Sequence, residues 1–291
     1  MEWPWPSSYR VDSLGAMTRL EHESYLAHIA SESRLFREAL TDVDPAARVP
    51  ACPDWTADDL LWHLGGVQDF WARVVEGRPG QPTEDEAGQD SADRPGSHDE
   101  LLAYFDASHA RMMTALEGLG PSEPAWTWSS DPADHTVGFI YRRQAHEALI
   151  HRVDAEQAAG QASGTSSEID ALLAADGVEE CLDVMYGGCP PWGSWSPLPH
   201  YVRFDMSDVD QSVWVQLGHF SGTDPEGVSH EEDDLHVVPD PGQEPDAVIE
   251  AASAAALDLR LWKRGPGDDF HLAGDRSMVA RVRAITHPPI N

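Results

Sequence analysis

Long stretches with helical periodicity constrain the fold of this chain more than any other feature. Apolar side chains recur at spacings of three and four residues from Leu14 to Leu40, and similar patterns follow in three later stretches. This spacing places apolar side chains on one face of a helix, and that face must be buried against other helices. Four long helices joined by short to moderate loops therefore predict an antiparallel helical bundle.

Helix starts are marked by capping sequences. Thr56 is followed three residues later by Asp59, and Ser97 by Glu100. In such a capping box the first side chain accepts a hydrogen bond from the backbone of the third helical residue, and the acid returns one. The second and third predicted helices therefore start at or just after Thr56 and Ser97. The fourth and fifth helices are predicted over 137–159 and 168–185.

Two residues in the fourth predicted helix have the chemistry of metal ligands. Glu147 and His151 are four residues apart, so their side chains leave the same helix face one turn apart. His63, the polar member of an apolar stripe on the second helix, is the candidate third ligand. Two simpler interpretations stay open, namely a Glu–His pair on the surface and a hydrogen-bonded histidine in the core.

The character of the chain changes after Tyr186. Residues that favour strands, such as valine and tryptophan, dominate from there, so we predict a helical domain over 13–186 and a smaller α+β domain over 197–288. The fold class is therefore predicted to be α+β. The elements expected in the second domain are strands over 201–206, 212–220, 235–238, 270–272 and 279–285, an exposed acidic turn over 230–234, and a helix over 245–262.

The composition excludes several classes of function. Nineteen basic and 51 acidic residues give a net charge of −32, which repels phosphate backbones and anionic membrane surfaces. No apolar run of about 18 residues predicts a membrane span, and no secretory signal is recognisable, so we expect a cytoplasmic protein. Cys52, Cys181 and Cys189 are too few for a disulfide framework or a four-cysteine zinc site.

Several short motifs together carry a family resemblance. The first group resembles the mycothiol-dependent maleylpyruvate isomerase family: Cys52-Pro53-Asp54-Trp55-Thr56, Asp59-Leu60, His63-Leu64, His146-Glu147-Ala148-Leu149-Ile150-His151-Arg152 and Asp154-Ala155-Glu156. Near the C-terminus, Leu257-Asp258-Leu259-Arg260-Leu261-Trp262-Lys263-Arg264 is similar to the second domain of that family. The resemblance covers most of the chain from about residue 15.

The resemblance implies a fold and a chemistry. It implies a DinB-like four-helix bundle with a divalent metal, usually zinc, at the positions of His63, Glu147 and His151. It also implies mycothiol as cofactor or co-substrate, with a zinc-held thiolate that attacks a small electrophile. The activity expected is a cis–trans isomerase or a mycothiol S-transferase, including one in secondary metabolism. A zinc-hydroxide hydrolase and a non-catalytic metal-binding protein remain alternatives.

An anionic substrate that enters so acidic a protein needs a local cation. Arg264 is the candidate, because a guanidinium matches a carboxylate with two parallel hydrogen bonds. The alternative role for Arg264 is to bind carbonyl groups at the end of a helix. Asp154 either orients His151 or makes an i,i+3 surface contact. We expect the site between the two domains, with Arg264 and the Trp192–Trp195 linker near its mouth.

Overall fold

The computed structural model describes residues 19–81, 94–160, 167–265, 270–288 and 290. The predicted start of the first helix, residues 14–18, lies outside these described residues. Residues 82–93, between the second and third predicted helices, also lie outside them. The helices are α1 (His22–Leu40), α2 (Ala57–Gly77), α3 (His98–Leu116), α4 (Val137–Ala158), α5 (Ala171–Glu180), α6 (Ala254–Leu261) and α7 (Arg276–Ile285). A 3₁₀ turn covers Pro132–Asp134, and a π-helical turn, Cys181–Tyr186, continues α5. Across the described ranges, none of the helices combines the length and apolarity needed to cross a membrane.

The predicted capping boxes are both formed. Thr56 Oγ1 accepts a hydrogen bond from the backbone N–H of Asp59, and Ser97 Oγ accepts one from Glu100. These caps explain why α2 and α3 begin where the sequence predicted. The fifth helix begins later than predicted, at Ala171, because the Asp170 side chain supplies its cap.

Contacts at one end of the bundle fix the helix directions. The His98 ring, at the start of α3, lies 2.6 Å from an oxygen of Asp58 and 2.8 Å from the carbonyl oxygen of Leu40. Asp58 starts α2, whereas Leu40 ends α1. Therefore α1 runs opposite to α2, as predicted, whereas α2 and α3 run in the same direction. The segment between α2 and α3, residues 78–97, is long enough to connect opposite ends of the bundle.

Helix α4 packs beside α1 in the same direction. Arg152 and Glu32 form an ion pair of 2.6 Å near the later part of both helices. His22 and Tyr141 have ring centroids 6.1 Å apart near their starts. The bundle is therefore up-down-down-up: its two most extensively packed pairs, α1–α4 and α2–α3, are each parallel, and the two pairs run in opposite directions. In this arrangement α2 and α4 are neighbours, and His63 faces Glu147.

A mixed five-stranded sheet follows the helices. Two short strands, β1 (Arg48–Val49) and β2 (Cys52–Thr56), form a hairpin ahead of α2. The sheet itself contains β3 (Gly193–Met206), β4 (Gln211–Thr223), β5 (Ser229–Val238), β6 (Ala247–Ala251) and β7 (His271–Gly274). Its order is β5-β4-β3-β6-β7, and β3–β6 is the parallel pair.

Helix α5 joins the bundle to the sheet. Leu173 belongs to the apolar core of the bundle, whereas Val178 packs into the core beneath the sheet. Ile150 of α4 reaches the same core under the sheet. The two halves are thus packed along α4 and α5, and the residue beside Ile150 in the sequence is the candidate ligand His151.

The acidic run 230–234 was predicted to be an exposed turn, but it lies within β5. The prediction was wrong because charge alone does not prevent a strand at the edge of a sheet, where one side faces solvent. β5 is such an edge strand. Arg281 of α7 also pairs with Asp233 at 2.7 Å and offsets one of the charges.

Two other predictions for this half were wrong. The predicted helix over 245–262 is the strand β6 followed by α6; alternate residues of β6 are buried, and Ser253 caps α6. The predicted strand over 279–285 belongs to α7. Val279 and Val282 are its buried residues, and a spacing of three is helical. The segment was predicted as a strand because its valine and isoleucine residues are β-branched and favour strands.

Candidate metal centre

His63, Glu147 and His151 come together between α2 and α4. One ligand-type atom from each lies within 4.8 Å of the other two. Glu147 Oε1 lies 3.3 Å from His63 Nε2 and 3.2 Å from His151 Nε2. Two imidazole nitrogens and one carboxylate oxygen therefore converge on one point, as the sequence predicted for a metal site.

Local structure explains this convergence. Glu147 and His151 share one face of α4, and His63 lies in the second turn of α2, which the Thr56 cap fixes in place. Trp55, at the end of the β1–β2 hairpin, packs its ring against His63 with centroids 4.6 Å apart and against His151 at 6.2 Å. The hairpin thus restricts both imidazole rings.

The donor set fits a divalent metal with a free position. Two histidines and one glutamate are a common ligand set of catalytic zinc, which leaves a fourth position for water or substrate. His151 is buried, whereas the side chains of His63 and Glu147 retain 24% and 17% exposure. His63 and Glu147 therefore form the more exposed side of the site.

Asp154 fixes the orientation of His151. Its carboxylate is fully buried and lies 3.0 Å from His151 Nδ1. Such a hydrogen bond fixes Nδ1 as the donor to Asp154 and turns Nε2 toward the other two ligand-type atoms. The alternative of a surface contact is excluded by the burial of Asp154.

The pKa values at the centre follow from these contacts. Burial by itself would lower the pKa of His151, but hydrogen bonds to Asp154 and Glu147 raise it to about 9. Burial would raise the pKa of Glu147, yet hydrogen bonds from His151 and His63 and the charge of Arg143 hold it well below its usual value. Glu147 is therefore an anionic donor at neutral pH.

Arg143 supports the other ligand, Glu147. Its Nη2 donates to Glu147 Oε2 at 2.7 Å, and its Nη1 pairs with the buried Glu180 of α5. Its guanidinium carbon lies 5.3 Å from the ring centroid of Trp262. The i,i+4 spacing of Arg143 and Glu147 is a sequence signal for this contact. Glu180 and Trp262 are distant in sequence and gave no such signal.

Arg264 has a set of partners within the protein. Its Nε and Nη2 donate to the two oxygens of Asp154 at 3.1 and 3.0 Å, and Nη2 also lies 3.5 Å from Cys52 Sγ. Its Nη1 donates to the carbonyl oxygens of Trp262 and Ile290 at 2.7 and 2.8 Å. All five N–H groups are engaged, and none remains for a substrate carboxylate. The bonds to carbonyl oxygens correspond to the alternative role considered for Arg264 in the sequence. The ion pair with Asp154 was not predicted.

The Trp192–Trp195 linker, which was predicted to lie near the mouth of the site, packs on the sheet. Trp192 contacts Phe220 and His230 with ring centroids 5.4 and 5.3 Å apart. Trp195 stacks on His236 at 4.0 Å. These partners belong to β4 and β5. Trp262 and Arg264, which follow α6, instead contact Arg143 and Asp154, the residues that support Glu147 and His151.

Residues 26–156 match a family model described as the mycothiol maleylpyruvate isomerase N-terminal domain. The helical part of this chain is therefore similar to that domain. All three candidate ligands lie within the matched residues. The match confirms the resemblance that the sequence motifs indicated, and no curated protein matches the sequence.

Solved structures show the same fold. A crystal structure of a mycothiol-dependent maleylpyruvate isomerase matches with a TM-score of 0.55 and 14% identity, over 87% of this chain and 93% of that chain. A histidine-to-alanine mutant of such an isomerase matches over the same shares, with 14% identity and a TM-score of 0.54. The coverage extends through both halves and confirms the α+β fold class.

Proposed function

We propose that this protein is a mycothiol-dependent enzyme in which the thiolate of mycothiol attacks a small electrophilic substrate at a metal centre. The observation that carries the proposal is the convergence of His63, Glu147 and His151 inside a domain of the mycothiol maleylpyruvate isomerase family. The reactions that fit best are the cis–trans isomerisation of a conjugated keto acid and the transfer of mycothiol to an electrophile.

The three side chains would hold a divalent ion, with zinc as the best match to their chemistry. When bound, zinc supplies the Lewis acidity that keeps a coordinated thiol deprotonated at neutral pH. The protein contributes one anionic and two neutral donors, so one positive charge remains to attract a thiolate. The partly exposed side of His63 and Glu147 is where we place the thiol and the substrate.

Arg264 enters this proposal as a positioning residue. Its guanidinium holds both oxygens of the Asp154 carboxylate, and Asp154 holds His151 Nδ1. We infer that this chain of contacts keeps the His151 ring in the orientation that a metal requires. Arg143 likewise orients Glu147, through the hydrogen bond from its Nη2 to Glu147 Oε2. A substrate carboxylate, which we still expect on chemical grounds, would need another cation.

The two reactions share their first step and differ in the second. In both, a carbon–sulfur bond forms between the thiolate and an electrophilic carbon of the substrate. An isomerase then breaks that bond after rotation about the former double bond, so the thiol is regenerated and no oxidant is needed. An S-transferase retains the bond in its product. The site residues favour neither outcome, because both need the same activated thiolate.

The test is turnover by the zinc-loaded protein, with and without mycothiol, on a cis-configured conjugated keto acid and on an alkylating electrophile. The proposal predicts turnover that requires mycothiol and disappears in His63→Ala. The control is His219→Ala, since His219 lies on β4 and pairs with Glu231. Ester or amide hydrolysis that requires zinc but no thiol would contradict the proposal and favour the hydrolase alternative.

A further inference from the structure

A cavity lies at the edge of the sheet, formed by β5, the segment after the π-helical turn, and the end of α7. Its volume is about 550 Å³, which is within the usual range for small-molecule sites. None of the three candidate metal ligands lines it. It is therefore a site separate from the metal centre, and its chemistry can be considered independently.

Aromatic and apolar side chains form much of its wall. Trp192 packs edge-to-face against Phe220, with ring centroids 5.4 Å apart and an interplanar angle of 81°. Tyr186 lines the cavity beside them, and Met185 and Ile285 add apolar surface. Trp192 keeps 37% exposure although it is a large apolar residue. The cavity therefore offers aromatic surface to a ligand.

The strand register places carboxylates next to these rings. Glu232 of β5 is directly opposite Phe220 of β4, so the two side chains share one face of the sheet. Asp234, two residues along β5, lies on that face opposite Gly218, over which the Trp195 ring packs. Asp234 is only 8% exposed. Its carboxylate accepts a hydrogen bond from the backbone N–H of Leu235 at 2.7 Å and lies 3.7 Å from His236 Nε2. No lysine or arginine of the described ranges pairs with it, whereas Asp233 is paired with Arg281.

Burial lowers the pKa of His236, so this neighbour does not supply a full positive charge to Asp234 at neutral pH. A buried carboxylate without a charged partner is costly, and burial raises the pKa of Asp234 to about 6. A positively charged ligand would remove that cost. Aromatic faces attract the same ligands through their quadrupoles, most strongly where water is excluded. The net charge of −32 also raises the local concentration of cations and repels anions.

We propose that the cavity formed by Trp192, Phe220, Tyr186, Glu232 and Asp234 binds a small organic cation, namely an amine or quaternary ammonium group on an apolar body. The ammonium group lies between the carboxylates and the Trp192 ring. The apolar body lies against Met185 and Ile285. This site requires neither the metal nor mycothiol, so it stands or fails independently of the proposed function.

The test is calorimetric titration of the full-length protein with benzyltrimethylammonium, and with benzyl alcohol as a neutral comparison. Wild type should bind the cation at least about tenfold more tightly than the alcohol. Trp192→Ala and Glu232→Gln should each weaken cation binding by several-fold, and Asp234→Asn by about tenfold or more. The matched control is Trp128→Ala, because Trp128 is also exposed, at 47%, but packs on Phe139 of α4.

Three results would overturn the proposal. They are equal binding of cation and alcohol, no binding of the cation at about 10 mM, and unchanged affinity in both Trp192→Ala and Glu232→Gln. The last two variants alter an exposed tryptophan and an exposed glutamate. Their folding can therefore be verified by melting curves that match wild type, even if Asp234→Asn is unstable.

Discussion

Asp154 and Arg264 are 110 residues apart in the sequence and form a two-pronged ion pair, with N–O distances of 3.1 and 3.0 Å. Both side chains are buried, at 0% and 2% exposure. Asp154 lies on α4, three residues after the candidate ligand His151, whereas Arg264 follows α6. The half of the chain that contains the sheet therefore determines how a residue of the bundle is oriented.

Arg264→Lys should weaken zinc binding by about 10- to 100-fold. Lysine keeps the positive charge beside Asp154 but cannot make two parallel hydrogen bonds, so the carboxylate and the His151 ring gain freedom. The measurement is competition for zinc against a chromophoric chelator. Arg34→Lys is the control, because Arg34 forms an exposed pair with Glu38. Unchanged zinc affinity in a folded Arg264→Lys protein would exclude the positioning role.

The Arg143–Glu180 pair allows stability and metal binding to be separated. Arg143→Met alone should cost about 3–5 kcal/mol of unfolding free energy, because it leaves Glu180 buried without its partner. Arg143→Met combined with Glu180→Met should restore stability, since well-packed apolar residues replace a buried pair at little cost.

The double variant should still bind zinc about tenfold more weakly than wild type, because Glu147 Oε2 has lost its donor. Urea unfolding and the chelator competition measure the two effects on the same samples. A double variant that is stable and binds zinc as wild type does would mean that Arg143 stabilises the fold without supporting the ligand.

Asp176 should make the fold sensitive to acid. It is fully buried and accepts hydrogen bonds from Arg142 at 2.6 Å, from His146 at 2.8 Å, and from Tyr25. Burial would raise its pKa, but the charge of Arg142 and the bond to His146 hold it below its usual value. Because the pKa of Asp176 is lower in the folded than in the unfolded state, its ionised carboxylate stabilises the fold. This stabilisation is complete above about pH 4 and is lost as the pH falls through the pKa of the folded state.

Asp176→Asn should therefore destabilise the protein at pH 7 by about 3–5 kcal/mol, and the deficit should shrink below about pH 4. Urea unfolding between pH 7 and pH 3 measures this difference. Asp106→Asn is the control, because its pair with Arg37 is exposed and should contribute less than about 1 kcal/mol. A deficit at Asp176 that stays constant with pH would contradict the linkage.

The parts of the molecule that depend on local spacing were predictable from sequence. The Thr56 and Ser97 caps involve residues three apart, and Glu147 and His151 are four apart, so helical geometry alone determines these contacts. The inward position of His63 was also predictable, because this histidine interrupts an apolar stripe of α2; its role as a metal ligand stays a prediction.

The parts that depend on tertiary contacts were not predictable. The N–H groups of Arg264 donate to Asp154 and to carbonyl oxygens of distant segments. No local sequence pattern indicates these hydrogen bonds. Residues 230–234 form a strand because β5 is at the sheet edge, a position that only the complete topology defines. The parallel direction of α2 and α3 is likewise shown by a tertiary contact, that of His98 with Asp58, which the sequence pattern does not indicate.

Metal content is the most direct measurement of the central claim that His63, Glu147 and His151 hold one divalent ion. Elemental analysis after zinc loading and removal of excess metal should give about one zinc per chain for wild type. It should give nearly none for His151→Ala and for His63→Ala, and the wild-type content for the His219→Ala control. Full zinc occupancy in His151→Ala, with a melting curve like that of wild type, would contradict the account.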